Sequence, residues 1–182
     1  MTSPRRPASC GTIWRTVWET RLATSGYGYD YGYGVCADQQ NVFVSGFTSG
    51  TFPGFASGGG LDGFVAALTP EGALTWVRQF GSPADDRAFA VAVAQVTNTV
   101  FGETRGGFGP LDPVISIGGG ADLFLVLFDR KGAQVRSKRF GSGFSGLAFD
   151  MVARADGTLY LTGMTSGALQ PSVPTPFERR CS

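Results

Sequence analysis

From Asp30 onward the chain is a succession of short apolar runs broken by glycine, aspartate and proline, and none keeps a 3.6-residue period over helical length. The runs predict strands at 31 to 38, 41 to 46, 62 to 69 and 74 to 80. A second series is predicted at 87 to 95, 99 to 104, 122 to 129 and 133 to 140. Val42-Phe43-Val44-Ser45-Gly46 and Thr158-Leu159-Tyr160-Leu161-Thr162-Gly163 carry the β-branched and aromatic residues that strands favour. Asp38-Gln39-Gln40-Asn41 and Ala155-Asp156-Gly157 supply tight-turn chemistry before them.

The pattern repeats. Residues 58 to 82 and 118 to 142 align without a gap at a spacing of 60, matching a Gly-Gly-Gly run, Asp62 with Asp122, Phe64 with Phe124, Gly72 with Gly132, and Gly81 with Gly141. A second shared segment recurs over 30 to 46, 86 to 102 and 146 to 163, with Tyr33, Phe89 and Phe149 in one column. That column is expected in the core. Four short strands per repeat is the arithmetic of a propeller blade. The fold expected is all-β, a partial β-propeller of four-stranded antiparallel blades, with units at about 30 to 81 and 86 to 141 and a partial unit at 146 to 168. Residues 1 to 15 and 169 to 182 read as disordered tails.

Asp62-Gly63-Phe64-Val65-Ala66-Ala67-Leu68-Thr69-Pro70-Glu71-Gly72, Trp76-Val77-Arg78-Gln79-Phe80-Gly81, Asp86 and Gly46-Phe47-Thr48-Ser49-Gly50-Thr51-Phe52-Pro53 together resemble the SBBP-type bacterial β-propeller repeat. The resemblance spans about residues 16 to 168, with Arg136 standing where Trp76 stands and Gly146 where Asp30 and Asp86 stand. It implies an extracellular or cell-surface setting and a scaffold or interaction role. Trp18 matches Trp76, so a lone outer strand is expected near Val17 to Leu22, and two strands of a further unit are expected to end near Gly167. Propellers close with about four to eight blades. Both ends are therefore expected to expose apolar faces and strand edges, favouring self-association or further blades. A fragment of a larger propeller protein without independent function is an alternative reading.

Composition narrows the chemistry more than the fold. The chain of 182 residues has no histidine and a formal net charge of +1. Ser-His-Asp and Cys-His catalysis and His-ligated zinc are excluded within it, and no field favours nucleic acid. Cys10, Cys36 and Cys181 are too scattered for a thiolate metal site or a disulfide framework. No segment has the length and hydropathy of a membrane span, and the first 35 residues hold no apolar run of the kind a secretory signal needs. No cofactor is expected.

Candidate sites are few. Asp62 and Asp122 follow glycine runs, where an Asp commonly bonds backbone amides and fixes a turn; a calcium site needs about six oxygens, and only one carboxylate recurs. They are read as structural repeat positions with Gly72, Gly132, Gly81 and Gly141. Asp85-Asp86 lacks the opposed geometry of a glycosidase pair. Gly141 to Gly146 satisfies G-x-G-x-x-G, but no helical pattern follows it. Tyr27, Tyr29, Tyr31 and Tyr33 alternate, so an extended backbone places the rings on one face. Packing is the first reading of that row and contact with a protein or carbohydrate ligand the second, through Tyr27 and Tyr29. The chain is thus read as a non-enzymatic interaction module, with a propeller-type lyase or hydrolase as the rival.

Overall fold

The computed structural model describes residues 16–26, 28–107, 120–141 and 144–167. The expected tails and Tyr27 lie outside the described residues. Within them the chain is all-β, and no helix is long and apolar enough to cross a membrane.

Two antiparallel meanders and a hairpin follow one another. The first sheet comprises β1 (Asp30–Ala37), β2 (Val42–Thr48), β3 (Asp62–Leu68) and β4 (Leu74–Phe80), hydrogen-bonded in that order. The second comprises β5 (Asp86–Ala94), β6 (Thr97–Thr104), β7 (Asp122–Asp129) and β8 (Gln134–Phe140), again in chain order. β9 (Gly146–Ala153) and β10 (Leu159–Thr165) form the hairpin. The third strand of the first sheet is buried along its whole length, as a strand covered on both faces should be, and its sequence is accordingly a continuous apolar run after Asp62.

Burial joins the sheets face to face. Phe43, Val65 and Ala67 of the first sheet pack against Ala88, Val91, Val100, Phe124, Val126 and Phe128 of the second, with Trp76 and Phe80 at the margin. A second core joins Ala90, Ala92, Phe101 and Leu123 to Ala148 and Met151 of the hairpin. Backbone bonds repeat the junction: the Asp86 amide donates to Leu61 O at 2.7 Å, and the Gly146 amide donates to Ala121 O at 2.7 Å.

Gly72 and Gly132 explain their recurrence. Each sits in the turn after a third strand with positive φ, +88° and +79°, which a side chain rarely adopts. Each is also roofed by a tryptophan from the preceding segment. Trp76 donates its indole N–H to Arg130 O at 2.9 Å, and a Cβ on Gly132 would lie 2.8 Å from its ring. Trp18 does the same with Pro70 O, at 2.9 Å, over Gly72. Thr20 and Arg78 complete the pair by donating to Gly72 O and Gly132 O.

Two expectations need correcting. Residues 17 to 22 form no strand and pair with no strand among the described residues; Trp18 nevertheless makes its latch. The Tyr33, Phe89 and Phe149 column is a core column only at Phe89, which is half-buried against the second core; Tyr33 and Phe149 are exposed. Register shifts between Gly32 and Gly34, between Ala88 and Ala90, and between Ala148 and Asp150 make each aromatic the extra residue of a β-bulge. A bulged residue is turned out of the alternation, and Tyr33 and Phe149 are accordingly 56% and 57% exposed.

Candidate functional site

The bulged strands border a concavity. β1, β5 and β9, the first strands of the three units, run side by side around an open groove of about 710 Å³ whose lining includes Tyr33, Phe89 and Phe149. Backbones approach closely there: a Cβ on Gly34 would lie 2.9 Å from the Ala90 Cα. Among the described residues Asp150 is the one carboxylate in the lining, and its Oδ1 accepts from the Met151 amide at 2.8 Å. Cys36 also lines the groove, and burial, reinforced by the Asp38 charge, pushes its thiol up to about 12. It is protonated near neutrality and is not an activated nucleophile. The groove can hold an apolar or aromatic-binding ligand, but a lone carboxylate makes no acid–base pair.

The tyrosine row leads toward this groove from the start of β1. Tyr29 and Tyr31 stack at 6.3 Å, and Tyr31 and Tyr33 follow at 6.3 Å. Phe47 supports the row from beneath, 5.0 Å from Tyr31 and 5.3 Å from Tyr33, with the Arg87 guanidinium 5.8 Å from its ring. Tyr29 is 70% exposed and lies outside the groove lining, whereas Tyr33 belongs to both. The sequence reasoning therefore singled out the row but missed Phe89 and Phe149. Their shared column with Tyr33 was the available signal.

The repeated aspartates occupy a different place. Asp62 is fully buried, and its Oδ2 accepts from the Gly58 amide at 2.9 Å and from Gln79 Nε2 at 2.8 Å. Gln79 also donates to Gly50 O at 3.0 Å and accepts from the Phe52 amide at 2.9 Å, so one amide side chain ties the 48–61 loop to β4. In the second sheet Arg139 stands at that register position, 3.9 Å from Asp122 and donating to Gly106 O at 2.9 Å. Gly81 and Gly141 leave room for the carboxylates: a Cβ on Gly81 would lie 2.3 Å from Asp62 Oδ1, and one on Gly141 would lie 2.1 Å from Asp122 Oδ1.

Asp86 lies on the same side of Gly81, its Oδ2 3.0 Å from where a Cβ would be, and accepts from the Ser82 amide and hydroxyl at 2.5 and 2.8 Å. Burial raises its carboxyl above the usual range, the Asp62 charge adds to the rise, and Thr104 and Ser82 oppose it. Asp85 turns the other way, pairing with Arg87 at 2.9 Å, and Arg87 in turn reaches Glu103 at 3.0 Å. The adjacent aspartates thus diverge. Among the described residues no three His, Cys, Asp or Glu side chains gather in a way that holds a metal ion. The G-x-G-x-x-G segment runs from the end of β8 into strand β9, and its residues 142 and 143 lie outside the described residues.

No family model matches the chain, and no curated protein matches it.

Proposed function

We propose that the chain is a propeller-type repeat module of the SBBP kind, working as a non-enzymatic scaffold that binds a protein or carbohydrate ligand. The observation that carries this reading is the placement of β1, β5 and β9 side by side around one groove. Blades set around a central channel present their first strands in that way. The latches of Trp18 over Gly72 and Trp76 over Gly132 support it, because the same contact recurs from one unit to the next. The groove's aromatic lining suits sugar or peptide faces, and the exposed Tyr29 extends that surface beyond it. A surface or extracellular setting accords with the resemblance.

Glycan and peptide arrays probed with the wild-type chain and with a Tyr33→Ser, Phe149→Ser double variant test the reading. Binding to a defined ligand class that the double variant loses is the expected result. Turnover of a substrate in a lyase and hydrolase screen, abolished by Asp150→Asn, would instead establish the enzymatic reading. Equal array signals from both proteins would remove the groove from the proposal. The fragment reading draws on the exposed Tyr160 and Met164 of β10 and the exposed Tyr29 and Val35 near and on β1.

A further inference from the structure

The two junctions between successive units are built alike but charged differently. In the second, the Asp122 carboxylate lies 3.9 Å from the Arg139 guanidinium, and Gly146 opens the next strand. In the first, Gln79 stands at the register position of Arg139, and Asp86 stands where Gly146 does, their amides donating to the equivalent carbonyls Leu61 O and Ala121 O. One junction therefore sets a carboxylate beside a cation. The other sets two fully buried carboxylates, Asp62 and Asp86, beside a neutral amide. Among the described residues neither aspartate forms an ion pair, and Arg87, next in sequence to Asp86, is committed to Asp85 and Glu103. Burying an unpaired carboxylate is costly, so such a group calls for a counter-charge.

The geometry supplies a cradle as well as a charge. Asp62 Oδ2 is held by the Gly58 amide and Gln79, but Asp62 Oδ1 is buried and accepts no hydrogen bond. Two glycines keep the space before it clear. Asp62 Oδ1 and Asp86 Oδ2 are the first atoms that a Cβ on Gly81 would meet, and a Cβ on Gly58 would lie 3.0 Å from Ser82 O and 3.1 Å from Asp62 Oδ1. Three oxygens, two of them on carboxylates, thus converge between residues 58 and 82. The Leu61 amide, donating to Asp85 Oδ1 at 3.2 Å, ties the overlying glycine loop to the connection that carries Ser82. Gly58, Gly59 and Gly60 are exposed, so the cradle lies directly beneath a solvent-facing loop.

We propose that Asp62, Asp86 and the Ser82 carbonyl form a calcium site that joins the first unit to the second. Ligands that are all oxygen, two of them anionic, suit a hard divalent cation. Calcium accepts the irregular geometry of three protein oxygens with water completing the shell, where magnesium demands a near-ideal octahedron. The ion bridges β3 of one sheet and β5 of the next, and so does at this junction what Arg139 does at the other. The site belongs to one junction alone, which is why the recurrence of Asp62 and Asp122 does not reveal it. So few protein oxygens place its affinity with that of extracellular calcium modules, at about 10⁻⁴–10⁻³ M.

Thermal unfolding of the full chain, stripped with chelator and then given calcium chloride at constant ionic strength, tests the proposal. The midpoint should rise by about 3–6 °C once calcium is at roughly ten times Kd, and isothermal titration calorimetry should show saturable uptake. Asp86→Asn keeps an acceptor for Ser82 but removes a charge, and should weaken calcium at least about tenfold; its far-UV spectrum establishes that it folds. Gln79→Arg copies the other junction, with Gly50 O available to the guanidinium as Gly106 O is to Arg139. It should raise the midpoint of the metal-free protein and abolish the calcium response. Asp156→Asn, at an exposed carboxylate, should leave that response unchanged. A midpoint that calcium moves no more than sodium chloride does overturns the proposal, as does a calcium response kept in full by both Asp86→Asn and Gln79→Arg. An equal shift with magnesium chloride overturns the choice of calcium.

Discussion

Replacing Gly132 by alanine should cost far more than the loss of a turn glycine, because two separate penalties meet there. Its φ of +79° places an L-residue in the left-handed region, at about 1–2 kcal/mol. The new Cβ would also lie 2.8 Å from the Trp76 ring and 3.2 Å from the Arg78 guanidinium carbon, and overpacking of that kind costs about 1–3 kcal/mol more. Trp76→Ala removes the roof and exposes Arg130 O to water. It should cost about 3 kcal/mol, the low end for a large aromatic, since the ring is half-buried. In that background Gly132→Ala should cost only its backbone share. The double-mutant cycle should therefore show a coupling of about 1–3 kcal/mol, read from urea midpoints by far-UV circular dichroism at constant m. Gly157, with φ +90° and no close neighbour except Gln95 at 3.9 Å, gives the backbone penalty alone when replaced by alanine. Additivity within about 0.5 kcal/mol would refute the claim that Trp76 seats on Gly132.

Three further expectations concern charge and protonation. Arg130 reaches from the second sheet to Asp38 at 2.7 Å and to Gln95 O at 2.7 Å, so Arg130→Ala should lower stability by about 1 kcal/mol at neutral pH, as suits a partly exposed pair. Burial pushes the Asp38 carboxyl up, but the Gln40 and Asn41 amides and Arg130 outweigh it and hold it low. The Arg130 effect should thus be complete above the ordinary 3.8 and fade as pH falls through the lower folded value, checked by urea titrations at several pH values. Asp86 runs the opposite way: its raised carboxyl binds a proton before the unfolded chain does, so its contribution to stability improves as pH falls from the raised value to 3.8, and Asp86→Asn should abolish that gain. For Cys36, the thiol ionises only in the unfolded chain between 9.0 and about 12, so wild type should lose stability across that window and Cys36→Ala should not share the loss.

The strands were legible because their signals are local. β3 and β7 announce themselves as apolar runs between a glycine-rich turn and a positive-φ glycine, and their bounds agree with the sequence reading to within a residue or two. What was lost depends on partners distant in sequence. Tyr33, Phe89 and Phe149 align as a column, but a bulge is a property of pairing, and only the register with β2, β6 and β10 shows that each is extra. Both columns of the tryptophan latch were visible, yet the contact joins Trp76 to Gly132 of the next unit and not to Gly72 of its own. The Asp62 and Asp86 carboxylates converge on Gly81 in the same way, from the third strand of one sheet and the first strand of the next. Val17 to Leu22 differ in another way: Trp18 and Thr20 make the contacts with Pro70 and Gly72, but the segment pairs with no strand among the described residues.

Face-to-face stacking of successive units is most directly tested by nuclear Overhauser contacts in isotope-labelled protein. β1 and β5 belong to different sheets and share no ladder, yet Gly34 and Ala90 touch, and so do Trp76 and Gly132. Cross-peaks between Gly34 and Ala90 and between the Trp76 ring and the Gly132 α-protons are the expected result. A spectrum with intact ladders inside each sheet but neither cross-peak would contradict the account.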